Sequence, residues 1–76
     1  MNQSRRRALQ KAREILEHAS DIVTQARDEE QDSLGNLPEG IQESERGQKM
    51  EEAIDAMDSA MDSITEAIEY LEEASQ

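Results

Sequence analysis

The chain has 76 residues, of which only 34% are apolar, and Tyr70 is its single aromatic residue. So short a chain forms one domain, and a compact globule of this size usually needs large core side chains, disulfides or a metal. The sequence has no cysteine, which excludes disulfides and thiolate metal sites, and its formal net charge is −11. No apolar run could span a bilayer and no apolar segment follows the basic N-terminus, so we expect a cytoplasmic protein without a secretory signal.

The first predicted element is a helix from about residue 4 to residue 33. Asn2 or Ser4 can cap its first turn, because a short side-chain oxygen accepts a hydrogen bond from an unpaired N–H. Apolar residues that recur every seven positions are typical of a helix that lies along another helix. Three such columns are present: Leu9, Leu16 and Val23; Ala12, Ala19 and Ala26; and Ala8, Ile15 and Ile22.

A linker is predicted over residues 34–43, where two of the three glycines and the only proline occur. Gly35 suits a helix C-terminus, and Pro38 suits the first position of a short helical turn. Leu34, Leu37 and Ile41 are too apolar for a solvated tether, so we expect them to fold back and cover the end of the helix pair.

The second long helix is predicted from about residue 44 to residue 75. Ser44 can serve as its N-cap, although Gly47 costs about 1 kcal/mol of helix propensity and could delay the start to Gln48. A column made only of alanine indicates that a partner backbone comes close. The columns are Met50, Met57, Ile64 and Leu71; Ala53, Ala60, Ala67 and Ala74; and Ile54, Met61 and Ile68.

Two nearly equal helices joined by a short linker predict an all-α fold, an antiparallel two-helix hairpin with an alanine-rich coiled-coil contact, as a single domain over residues 1–76. Charge supports this direction, because residues 1–33 carry a net charge of −1 and residues 48–76 a net charge of −8. The early arginines of the first helix then lie beside the acidic end of the second.

Each helix has an apolar stripe three columns wide, whereas a pair of helices uses two columns well. We therefore expect the column of Ile54, Met61 and Ile68 to need another surface, supplied by a second copy in a four-helix bundle. A monomeric hairpin with an apolar flank, or a flank that binds a different protein, are the alternatives. The residues expected to pack in the hairpin or the bundle are Leu9, Ala12, Leu16, Ala19, Val23, Met50, Ala53, Ile54, Met57, Ala60, Met61, Ile64, Ala67, Ile68 and Leu71.

The motifs of catalysis and of cofactor binding are absent from the sequence. There is no Glu-x-x-His step, glycine-rich phosphate loop, serine elbow or calcium loop, and His18, four residues after Glu14, is the only histidine. We therefore expect no enzyme activity, no metal, no cofactor and no small-molecule substrate, with His18 a solvated surface residue.

Charged residues offer two candidate surfaces. Arg5, Arg6 and Arg7 could contact phosphates, but the acidic chain repels nucleic acid, so pairing with the end of the second helix is favoured. A row of carboxylates on the second helix could instead mimic nucleic-acid phosphates and bind a basic protein, or simply solubilise the helix. The row comprises Glu51, Asp55, Asp58, Asp62, Glu66 and Glu69.

The segments 27–31, 36–39 and 41–47, followed by the acidic, alanine-rich helix from Glu51 to Ala74, resemble small uncharacterised proteins encoded by bacteriophages and bacterial mobile elements. The resemblance implies an accessory protein that binds a host protein inside the bacterial cell. It also marks Ser44, Glu45 and Arg46, which either cap a helix or form a contact loop. A self-associating structural bundle is the main alternative function, and a weak nucleic-acid binder that uses the N-terminal arginines is the third.

Overall fold

The computed structural model describes residues 1–76 and contains three helices: α1 (Gln3–Gly35), α2 (Glu39–Gln42) and α3 (Glu45–Ala74). The all-α class is confirmed, and α1 packs along α3 over most of its length. The molecule is a thin rod that measures 58 × 14 × 12 Å. Its thickness is that of one helix pair, so most side chains keep one side in solvent.

The ends of α1 lie close to the predicted positions. Asn2 is the N-cap, and its Oδ1 accepts a hydrogen bond of 2.8 Å from the Arg5 N–H. The helix ends at Gly35, followed by Asn36 in a right-handed conformation whose N–H donates to the Asp32 carbonyl at 3.0 Å. Gly35 therefore lies at the helix C-terminus as predicted, and it does so without a positive φ.

Three side-chain contacts define how α1 and α3 lie against each other. They are the Arg13–Glu72 ion pair at 3.2 Å, the contact of Thr24 Oγ1 with Met61 Sδ at 2.9 Å, and the Arg27–Asp58 ion pair at 2.9 Å. The two residue numbers total 85 in every pair. The helices are therefore antiparallel, and each α1 residue lies level with the α3 residue that completes this total.

The contact between the helices uses a different pair of α3 columns from the one expected. Ile54, predicted to need a second surface, is only 5% exposed, whereas Ala60 and Ala74 are exposed. The column of Met50 alternates at steps of three and four residues with the column of Ile54 and equally with the column of Ala53. The pair that contains Ile54 faces α1 because its larger side chains bury more apolar surface. The alanine column therefore flanks the contact instead of forming its centre.

On α1 the contact first follows Leu9, Leu16 and Val23. Beyond Val23 it moves by one position, from the column of Ala26 to the column that contains the half-buried Arg27 and the buried Leu34. Ala12 and Ala19 are half-buried and belong to the same stripe, but the shift leaves Ala26 exposed. Leu34 is 8% exposed and is, with Ile54, one of the two buried hydrophobic residues of the chain.

The linker folds back as a short helical turn. Pro38 immediately precedes α2 instead of occupying its first position, and the Gln42 side-chain amide donates to the Leu37 carbonyl at 2.7 Å. Leu37 is half-buried, while Ile41 remains 41% exposed, so the predicted covering of the helix end is partial. The buried Gly47 packs directly against the backbone of Gln42, and α3 begins at Glu45 without the delay that glycine could cause.

Candidate interaction surfaces

One long side of the α1–α3 contact is polar, and we call it the polar edge. It consists of Arg13, Ser20 and Arg27 on α1 and Glu51, Asp58, Thr65 and Glu72 on α3. Arg13 and Arg27 each bridge to α3. The hydrogen bond to Asp58, with its negative charge, raises the pKa of the Arg27 guanidinium. The polar edge is therefore closed by contacts within the chain.

The opposite side is apolar, and we call it the apolar edge. Because flanking positions of antiparallel helices face each other across the same edge, it consists of Ala8, Ile15 and Ile22 on α1 and Ala53, Ala60, Ala67 and Ala74 on α3. Ile15 is 60% exposed and Ile22 is 56% exposed. The register places Ile22 level with Ser63, between Ala60 and Ala67. The open flank predicted from the sequence thus exists, but it is formed by these isoleucines and alanines and not by the column of Ile54.

The exposed surface is large for a chain of this mass. It measures 5696 Å², whereas a compact monomer of the same mass exposes roughly 4,700 Å². The excess, about 1,000 Å², is comparable to the ~800 Å² that each partner contributes to a standard protein interface. The elongated hairpin therefore has room to bury a full interface without changing shape.

The predicted row of carboxylates divides into two groups. Glu51, Asp55 and Asp58 line a groove beside Arg27 and Leu34, and Asp58 is engaged in an ion pair. The second group lies on the side of α3 that faces solvent, and we call it the acidic outer face: Asp62, Glu66, Glu69 and Glu73, next to the 62%-exposed Tyr70. None of these four carboxylates has an ion-pair partner, so the outer face carries its full charge.

The N-terminal arginines do not pair with the end of α3 as expected. Arg5, Arg6 and Arg7 form no ion pair, and at this end only Arg13 reaches Glu72. The register explains this, because Arg7 lies level with position 78, beyond the last turn of α3, which ends at Ala74. Arg6 and Arg7 instead line an open groove of about 570 Å³.

The three residues marked as a possible contact loop have different environments. Ser44 is the N-cap of α3 by position, but its hydroxyl donates to the Ile41 carbonyl and does not cap the helix. Glu45 pairs with Lys49 at 3.4 Å. Arg46 is exposed and has no ion-pair partner, so it is the member of the three that is available to another molecule.

Titratable groups are spread along the rod. His18 is exposed on α1, and no three His, Asp or Glu side chains converge on a point where they could hold a metal ion. Neither long helix includes a stretch apolar enough to cross a bilayer. No family model, curated protein or solved structure matches the chain, and we therefore infer function from the surfaces of the hairpin alone.

Proposed function

We propose that the protein is a non-enzymatic helical interaction protein. Two copies associate through the apolar edge into a four-helix bundle, which presents the acidic outer face of α3 to a basic protein. The observation that carries the proposal is the exposure of Ile15 and Ile22, at 60% and 56%, on an edge otherwise formed by alanine. A phage or mobile-element origin, and with it a host protein as the partner in the bacterial cytoplasm, belongs to the same proposal.

Burial of Ile15 and Ile22 would contribute several kcal/mol to the free energy of dimerisation. Complete burial of one isoleucine stabilises by about 1.5–3 kcal/mol, so covering side chains that are 56–60% exposed yields roughly 1–2 kcal/mol each. A symmetric pair of hairpins covers four of them, for a gross gain of roughly 4–8 kcal/mol. The alanines opposite allow the second backbone to approach closely, which adds van der Waals contacts.

Sedimentation equilibrium of the wild-type chain and of an Ile15→Ser, Ile22→Ser variant tests self-association. Isoleucine and serine have similar helix propensities, so the hairpin itself is little affected. We expect a dimer for the wild type and a dissociation constant at least about 10³-fold higher for the variant, because every 1.4 kcal/mol is tenfold. Ile41→Ser, which removes an exposed isoleucine outside the edge, is the matched control.

Two results would contradict self-association through the apolar edge. One is a wild-type chain that remains monomeric at high micromolar concentration. The other is an equal loss of association in Ile41→Ser, since that would indicate a general effect of surface hydrophobicity. Circular dichroism of each variant shows whether helix content is retained.

The acidic outer face is tested by comparing two variants with the same change in net charge. Asp62→Asn, Glu66→Gln and Glu69→Gln neutralise the face, whereas the control neutralises three exposed carboxylates of α1: Asp21→Asn, Glu29→Gln and Asp32→Asn. With an arginine-rich helical peptide as the probe, we expect salt-sensitive binding that the first variant weakens more than the control. Equal weakening would indicate bulk charge and reject a specific face.

A purely structural bundle is the second candidate function, favoured by the same apolar edge. It predicts dimerisation together with equal peptide binding by both charge variants. The third candidate, nucleic-acid binding, depends on Arg5, Arg6 and Arg7, which have no ion-pair partner within the chain. A single-stranded oligonucleotide in the same binding assay distinguishes it, and we expect no binding because the net charge of −11 repels the polymer.

A further inference from the structure

We propose that the second copy packs with like ends together, so that both N-termini lie at one end of the bundle and the two-fold axis runs along its length. This arrangement rests on the proposed self-association and adds which way the second copy points. It follows from the shape of the apolar edge and from the distribution of charge along the two helices.

The apolar edge is complementary to itself. Its bulky residues lie on α1 and its small residues lie on α3, so a two-fold axis that brings α1 of one copy onto α3 of the other places isoleucines against alanines twice. With the axis along the rod, the register between copies is the one within the chain. Ile22 of one copy then lies level with Ser63 of the other, between Ala60 and Ala67, as it does in its own hairpin.

The charge distribution selects this direction over the reversed one. Residues 3–18 carry five Arg or Lys and two Asp or Glu, a net charge of +3, and residues 19–35 carry one Arg and five Asp or Glu, a net charge of −4. Residues 45–59 carry two Arg or Lys and five Asp or Glu, a net charge of −3, and residues 60–74 carry five Asp or Glu, a net charge of −5.

With like ends together, the +3 half of α1 lies at the same end of the bundle as the −5 half of α3 of the second copy, partly beside it and partly just beyond it, and the −4 half lies beside the −3 half. In the reversed arrangement the two-fold axis is perpendicular to the rod, so α1 lies beside α1 and α3 beside α3 of the second copy. The −3 half of each α3 then meets the −5 half of the other, and only the α1 pair sets a +3 half against a −4 half. Like-charge contacts are thereby smallest in the like-end arrangement. Every neighbouring pair of helices is antiparallel in both arrangements, so the helix dipoles do not distinguish them.

One consequence concerns the unpaired arginines. In the like-end dimer, Arg5, Arg6 and Arg7 of both copies converge at the same end of the bundle, next to the acidic C-terminal turns of both α3 helices. The reversed arrangement would instead place one arginine cluster at each end. The distance between the two N-terminal segments therefore reports the arrangement directly.

Distances between spin labels measure it, and the absence of cysteine permits a single label per chain. Ser4→Cys labels lie less than about 30 Å apart with like ends together, because neighbouring helix axes are only 8–10 Å apart. They lie roughly 50 Å apart in the reversed arrangement, at 1.5 Å per residue. Asp21→Cys, near the middle of the rod, is the control, because its two labels are close in either arrangement.

The outcomes separate this inference from the proposed function. Short distances at both positions support the like-end arrangement. A short distance for Asp21→Cys with a distance near 50 Å for Ser4→Cys overturns the arrangement and leaves self-association intact. No dipolar coupling at either position at high micromolar concentration overturns both. Circular dichroism of the labelled chains establishes that each retains its helix content.

Discussion

Gly47→Ala probes a close backbone contact between α2 and α3. An added Cβ at Gly47 would overlap the carbonyl oxygen of Gln42 and would lie 2.5 Å from its carbonyl carbon and 2.9 Å from its Cα. These are backbone atoms, so no side-chain rotation relieves the overlap. The end of α2 has to move away from the first turn of α3.

Opposing effects set the magnitude of this change. Alanine in place of glycine inside a helix gains about 1 kcal/mol, whereas forcing extra atoms into a packed site costs about 1–3 kcal/mol. Displacing α2 also endangers the hydrogen bond from the Gln42 side chain to the Leu37 carbonyl, a further ~1 kcal/mol. We expect a net loss of about 1–3 kcal/mol and a melting temperature roughly 10 °C lower.

Thermal melting followed by circular dichroism at one fixed protein concentration measures the effect, since self-association makes melting concentration-dependent. Gly35→Ala and Gly40→Ala are matched controls, because a Cβ at either position meets nothing within 4 Å. We expect both controls to melt at or slightly above the wild-type temperature. If Gly47→Ala also melts at or above it, the close contact between α2 and α3 does not exist in solution.

Three other substitutions test separate parts of the hairpin by the same melting assay. Leu34→Ala should lower the free energy of unfolding by about 2–4 kcal/mol, because it leaves a cavity at the buried site near the linker. Asn2→Ala should lower it by about 1 kcal/mol, because it removes the N-cap of α1. An unchanged stability of the first variant would contradict the packing of Leu34, and of the second the cap. Arg27→Met should lower stability by an amount that shrinks as salt rises. Because the pKa of Arg27 is raised, the stabilisation from its charge is fully present below its unfolded-state pKa and is lost only as pH rises through its folded-state pKa. The stabilisation that wild type has over Arg27→Met should therefore stay constant between pH 6 and 10, and a decline in that range would contradict an arginine-based pair.

The seven-residue spacing was sufficient to predict two long helices that lie along each other, and the short linker was sufficient to predict that they are antiparallel. It was insufficient to decide which two of three α3 columns face α1, because all three repeat at the same interval. One indication was present in the sequence: Gly47 lies seven residues before Ile54, and a glycine at the head of a column is consistent with close backbone approach. The charge pattern also led to a wrong prediction for the N-terminal arginines, because two helices of nearly equal length need not have their ends at the same level.

The two proposed interactions use different sides of α3 and are therefore compatible. The apolar edge runs along Ala60 and Ala67, whereas Asp62 and Glu69 are spaced seven residues apart on the side of α3 that turns away from that edge. A second copy on the apolar edge thus leaves these carboxylates in solvent. In a four-helix bundle with α1 of each copy beside α3 of the other, the two α3 helices occupy diagonal corners, so the dimer presents two acidic faces that point in opposite directions. Self-association would then convert a monovalent acidic surface into a bivalent one, which increases avidity only for partners that offer two basic sites.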